Sequence, residues 1–136
     1  MKELTVDASV DNIAVVTDFV TRELKTLNCP LKAQTQIVIA IDELFGNIAR
    51  YAYAPDNGRA TVRFETEHQP SAVIITFIDS GIPFDPLQQS DPDTHLSAQD
   101  RPFGGLGIFL VKKSMNSVEY AYENGQNILK IKKIIG

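Results

Sequence analysis

Glu43 and Asn47 stand four residues apart in the stretch IVIAIDELFGNIARYAY, from Ile37 to Tyr53. On a helix with 3.6 residues per turn they fall within about 40° of each other, one turn apart. A carboxamide oxygen is a hard ligand for a small divalent cation, and a carboxylate beside it can accept a proton. Taken alone, such a pair is the ordinary solvated edge of a helix. A second candidate is Asp79-Ser80-Gly81. An Asp at the end of an apolar strand can accept a hydrogen bond from an exocyclic amine such as that of adenine. Gly81 there lets the backbone turn sharply while a ligand approaches closely. Seen alone, Asp-x-Gly is a common turn. The third candidate is Gly104-Gly105-Leu106-Gly107. Glycines at a helix entrance expose backbone N–H groups and the positive end of the dipole, which favours phosphate, although tight packing uses the same residues. No Gly-Lys-Ser/Thr follows, so this is not a Walker A loop, and no strand precedes it, so it is not the dinucleotide fingerprint. Arg101, just ahead, is either a charge for a terminal phosphate or a solvated loop arginine.

The elements that would position these residues follow from periodicity and punctuation. Ile37, Ile41, Leu44 and Ile48, widened by Val38 and Phe45, make the apolar face of a central helix that begins near Leu31. A preceding helix is expected from Asp11, read as its N-cap, to Leu27, with Asn28-Cys29-Pro30 as the break. Lys2 to Asp7 suits a short edge strand. Arg59 to His68 and Ser71 to Asp79 read as paired strands, and the almost wholly apolar Val73 to Ile78 suits a central, covered one. Ser80 to Phe103 shows no period, which inside so small a domain suggests a lid or binding loop. A helix over Gly104 to Met115 follows. Ser117 to Glu123 and Gln126 to Ile134 then form a hairpin turned at Asn124-Gly125. Because most strands arrive as hairpins, the fold class is α+β. The expected architecture is a two-layer α/β sandwich with a mixed, mostly antiparallel sheet and helices on one face. The sheet's other face must be partly polar or covered by a partner.

The 136 residues are expected to form one domain, 1–136. A net charge of −4 offers no footprint for nucleic acid or an acidic membrane surface. The single cysteine, Cys29, has no partner for an internal disulfide, and no Cys/His cluster has zinc spacing. His68, at a strand end, and His95, in the loop, read as solvated. With no signal pattern and no apolar run of spanning length, the expected compartment is the cytoplasm.

Together and in this order, ELFGN on a helix, DSG at a strand end and GGLG at a helix start resemble the N, G1 and G2 boxes of the GHKL ATPase superfamily. Within it, IDELFGNIARYAY, DSGIPFDP and DRPFGGLGIFLVKK look most like the anti-sigma-factor serine/threonine kinases of the RsbW and SpoIIAB type. The resemblance implies Glu43 as the carboxylate that activates or orients the attacking hydroxyl and Asn47 as the Mg²⁺ ligand. It implies Asp79, with Gly81, as the adenine contact. Arg101, Gly104, Gly105, Leu106 and Gly107 are placed at the phosphates, and residues 80–103 form a mobile lid. Two departures stand out. Tyr51 takes the position of a frequent His, and Met115-Asn116-Ser117-Val118 replaces a frequent Met-Asp-Glu-Val.

The function implied is an ATP- and Mg²⁺-dependent protein serine/threonine kinase that phosphorylates a small STAS-type anti-sigma-factor antagonist and sequesters a sigma factor. Such a protein regulates transcription without contacting nucleic acid or membrane, and homodimerisation is what the family suggests. The alternative is a nucleotide-gated binding module without significant kinase activity. Glu43 favours the kinase, since retaining a nucleotide needs Asn47 and the glycines but no base.

Overall fold

The computed structural model describes residues 1–88 and 105–136. Arg101, Gly104, His95 and most of the expected lid lie outside the described residues.

The first helix, α1 (Ile13–Thr26), buries Val16, Val20 and Leu24 at four-residue spacing. Ser9, not Asp11, caps its entrance. The Ser9 Oγ accepts the Asp11 N–H at 3.3 Å across a short 3₁₀ turn, Val10–Asn12. Ser9 has extended backbone angles, which let its hydroxyl reach forward to a free N–H, and Asp11 is already inside the turn. At the other end Asn28 adopts φ 54°, and two bonds close the helix: Cys29 N–H to Leu24 O and Asn28 N–H to Lys25 O, both 3.2 Å. Asparagine tolerates the left-handed conformation that this closure requires. Pro30 then precedes α2 (Leu31–Asn47), whose buried side includes Ile37, Ile41, Leu44 and Phe45. The helix ends in one wider π turn, Ile48–Ala52, a feature often found at functional sites. The third helix, α3 (Gly105–Ser114), ends with Lys133 Nζ donating to the Ser114 carbonyl at 2.7 Å, a cation on the negative pole of the dipole.

Among the described residues the sheet has five strands: β1 (Lys2–Asp7), β2 (Arg59–Glu67), β3 (Ala72–Asp79), β4 (Ser117–Glu123) and β5 (Gln126–Ile134). Their spatial order is β1-β2-β3-β5-β4, and every neighbouring pair is antiparallel. The sheet expected to be mostly antiparallel is wholly so among the described strands. The final hairpin docks through its second strand, so β5 runs against β3 instead of alongside it. The apolar β3 is the middle strand. Val62, Ile75, Phe77 and Ile131 from one sheet face join Val20, Ile37, Ile41, Phe45 and Val111 from the helices in a single core. The opposite face carries Thr5 bonded to Thr61, Arg63 paired with Glu3 at 2.7 Å and Lys132 with Glu67 at 3.4 Å. On this face Arg63 stands opposite Thr76 of β3 and Thr61 opposite Ile78, and both β3 residues are buried. No helix among the described residues is long and apolar enough to cross a membrane.

Asn124 and Gly125 turn the last hairpin with φ 53° and 77°, the pair of positive angles that a type I′ turn needs. A Cβ at 125 would meet nothing within 4 Å, so a side chain there is opposed by backbone conformation alone. Gly125→Ala is expected to cost about 1–2 kcal/mol. Melting followed by circular dichroism should show a fall of roughly 3–7 °C for a chain of this size.

Candidate functional site

The site is assembled where β3 ends. Antiparallel register sets Asp79 opposite Asn127 of β5, and both side chains are buried. Asp79 Oδ1 accepts two hydrogen bonds of 2.9 Å, from Gly81 N–H and from Asn127 Nδ2. The same Nδ2 donates to Ile82 O at 2.9 Å, and Asn127 Oδ1 accepts from Phe84 N–H at 3.1 Å and from the Tyr120 hydroxyl. Burial, aided by Asp85, Asp79 and Tyr122 and opposed by the Phe84 backbone, pushes the Tyr120 phenol up, which keeps it a donor.

The turn after Asp79 is fastened to the end of α2. Ser80 N–H donates to the Tyr53 hydroxyl at 2.7 Å, and that hydroxyl donates to Arg59 O at 2.6 Å. Ile82 N–H donates to Ala52 O at 2.9 Å, one of the carbonyls a helix end leaves free. A Cβ at 81 would lie 2.2 Å from that same oxygen. The room glycine provides at 81 is thus filled by the Ala52 backbone.

Between α2 and this turn lies a cavity of about 430 Å³, within the range of small-molecule sites. Leu44, Ile48, Ala52, Pro83 and Leu129 give it apolar walls, Tyr51, Phe84 and Tyr120 add aromatic ones, and Asn47, Asp79 and Asn127 are the polar residues. Flat apolar walls with one buried carboxylate suit a planar, largely apolar ligand that carries a hydrogen-bond donor.

Next to the cavity, Asn47 Nδ2 donates to Glu43 Oε1 at 3.3 Å, so the helical stacking that the spacing implies is present. That bond leaves the Asn47 oxygen to face other partners. Burial pushes the Glu43 carboxyl above the usual glutamate range, against the Asn47 hydrogen bond; Asp42 adds to the rise and Arg50 opposes it. Gly107 in the first turn of α3 stands directly over it. A Cβ there would lie 2.2 Å from Glu43 Cδ and Oε2. Glycine at 107 therefore makes room for the carboxyl.

A family model of the histidine kinase-like ATPase domain matches residues 6–133, nearly the full length of the chain. The chain belongs to this family. Among curated proteins this histidine kinase-like ATPase domain is similar to the serine-protein kinases RsbW of Bacillus cereus (strain ATCC 10987 / NRS 248) and Bacillus thuringiensis (strain Al Hakam). Each is 29% identical over 105 residues, covering 71% of this chain and 61% of the relative. The chain thus spans about three-fifths of the length of the curated relatives it matches. Among solved structures, the crystal structure of the RsbU and RsbW domains of a Mycobacterium tuberculosis protein superposes with a TM-score of 0.64 at 14% identity. That match covers 99% of this chain and 33% of the other, and it shows the shared fold.

Within this ATPase domain Asn47 and Asp79 line one cavity, and Glu43 and Gly107 meet one turn of α2 away. Gly81 shapes the turn behind Asp79. Gly105 and Leu106 lie in the first turn of α3, and Arg101 and Gly104 fall outside the described residues. No group of three or more His, Cys, Asp or Glu side chains gathers among the described residues. The Asn47 carboxamide oxygen, left free by its bond to Glu43, nevertheless fits Mg²⁺, an ion that keeps several waters and takes most of its other ligands from phosphates. Sequence reasoning gave no role to Asn127, Tyr120 or Tyr53. Their parts depend on register between strands and on a turn folding back against a helix, which no local spacing encodes.

Proposed function

We propose that this domain binds Mg-ATP and transfers the γ-phosphoryl group to a serine hydroxyl of a small STAS-type anti-sigma-factor antagonist, and that it also holds a sigma factor. The observation that carries this reading is one cavity lined by both Asp79 and Asn47, with Glu43 bonded to Asn47 beside it. The adenine amine donates to Asp79, and the base lies between the apolar and aromatic walls. Asn47 holds Mg²⁺, which when bound neutralises charge on the phosphates. Glu43 then accepts the serine proton as the hydroxyl oxygen bonds to the γ-phosphorus, the bond to the β-phosphate oxygen breaks and ADP leaves. A carboxyl raised by burial is a better match to that proton transfer near neutral pH than an ordinary glutamate. The names of the RsbW relatives, each a serine-protein kinase, support serine as the acceptor.

Incubation with γ-labelled ATP, Mg²⁺ and an antagonist protein tests the transfer. Label on an antagonist serine is the expected result. Nucleotide binding with no label on any antagonist would make the domain a nucleotide-gated binding module instead. A simpler measurement precedes it. Mg-ATP at about 100 times its dissociation constant should stabilise the fold by about 2.7 kcal/mol, a rise in melting temperature of several degrees. No shift with any nucleotide would remove the site from consideration.

A further inference from the structure

The Asn127 carboxamide has no freedom to turn over. Its two N–H hydrogens go to Asp79 Oδ1 and Ile82 O, and its oxygen takes the Phe84 N–H and the Tyr120 hydroxyl. A primary amide has two donor hydrogens and two acceptor lone pairs, so every valence is used. Flipping it would set an NH₂ against a backbone N–H and an oxygen against a carbonyl oxygen and a carboxylate. Three elements thereby fix one orientation: the turn after β3 through Ile82 and Phe84, β4 through Tyr120, and β3 through Asp79.

That orientation decides what Asp79 can offer a ligand. Oδ1 is filled by Gly81 N–H and Asn127 Nδ2, whereas Oδ2 accepts no hydrogen bond from the described residues. We propose that Asn127 is the positioning residue for purine specificity: by holding Asp79 Oδ1 it presents Oδ2 to the cavity as an acceptor, so the site selects a purine bearing a 6-amino group. This rests on the adenine reading above and adds the device that enforces it. Asn127 does not act on the reacting atoms; it acts through Asp79.

The test compares ATP with purine riboside 5′-triphosphate, which lacks only the 6-amino group, by isothermal titration calorimetry in Mg²⁺ buffer. A hydrogen bond to a charged group corresponds to roughly a 10- to 100-fold preference for ATP in the unaltered protein. Asn127→Asp keeps the shape and the acceptor for Phe84 N–H and Tyr120, and replaces only the Nδ2 donor with an oxygen facing Asp79 and Ile82 O. In buffer alkaline enough to keep both carboxyl groups ionised, repulsion between them then turns Asp79 away from that orientation. The preference should collapse to about twofold or less. General damage to the site would weaken both nucleotides in parallel and leave their ratio unchanged, so the ratio separates positioning from mere structural support. Should Asn127→Asp not fold, Asn127→Leu removes the same donor at similar volume and is read by the same ratio. A retained preference in a folded Asn127 variant overturns this inference and leaves the adenine reading standing. Failure of the unaltered protein to prefer ATP overturns both.

Discussion

Glu43→Gln is expected to leave Mg-ATP affinity within about twofold of the unaltered protein and to lower transfer to an antagonist serine by roughly 10²–10⁴-fold, the usual share of general acid–base catalysis. Glutamine keeps the length of the side chain and an oxygen to accept the Asn47 N–H at the position of Oε1, so the wall of the cavity is preserved. What disappears is the capacity to take a proton. The pH dependence should show the same group. Because burial raises the Glu43 carboxyl, the protonated, inactive form persists to higher pH than for an ordinary glutamate. Transfer should therefore rise with pH along a limb displaced upward from the usual glutamate range, and that limb should be missing from the Gln variant. The pH dependence of kcat/KM for ATP, which reports the groups of the free protein, measures it across the acidic and neutral range. A Gln variant that transfers at the unaltered rate would exclude Glu43 as the base.

Gly107→Ala is expected to reduce transfer by as much as about 10²-fold through displacement of that same carboxyl, since an ångström of misplacement has an effect of this size. The added methyl would stand 2.2 Å from Glu43 Oε2, and the flexible end of a side chain gives way more easily than the backbone of α3. The melting temperature should change little, because a rotated Glu43 leaves the core residues Ile108 and Val111 in place. Saturating ATP separates this role from a direct phosphate contact. If Gly107 serves only the phosphates, its alanine variant will bind ATP more weakly yet transfer at a normal rate once saturated. If it seats Glu43, the rate stays low at any ATP concentration.

Local patterns were legible in the sequence to the extent that one element contained them. Glu43 and Asn47 share a helix, so their spacing alone implies the contact that the structure contains. The hairpin turned at Asn124-Gly125 and the covered strand from Val73 to Ile78 are similarly local, and both occur. Asp79 and Asn127 are different. They meet because β5, the second strand of the last hairpin, docks beside β3, and the order β1-β2-β3-β5-β4 is a choice made in three dimensions. Sequence marks the glycines at 81 and 107 without naming the atoms that require them, a backbone carbonyl at Ala52 in one case and the Glu43 carboxyl in the other. Ser9 displaced Asp11 as a cap for a smaller reason of the same sort. A 3₁₀ turn preceding α1 moves the first free N–H groups two residues earlier than the hydrophobic period suggests.

Calorimetric titration of the protein with Mg-ATP and Mg-GTP, repeated with Asp79→Asn, tests most directly whether this cavity is an adenine-nucleotide site. Asp79 as a carboxylate accepts from the 6-amino group of adenine and has nothing to give the 6-oxo group of guanine. The expected result is a clear preference for ATP, and a fall in ATP affinity of roughly 10- to 100-fold in the Asn variant without a matching loss for GTP. Binding of ATP and GTP with equal affinity, or ATP binding untouched by Asp79→Asn, would contradict it.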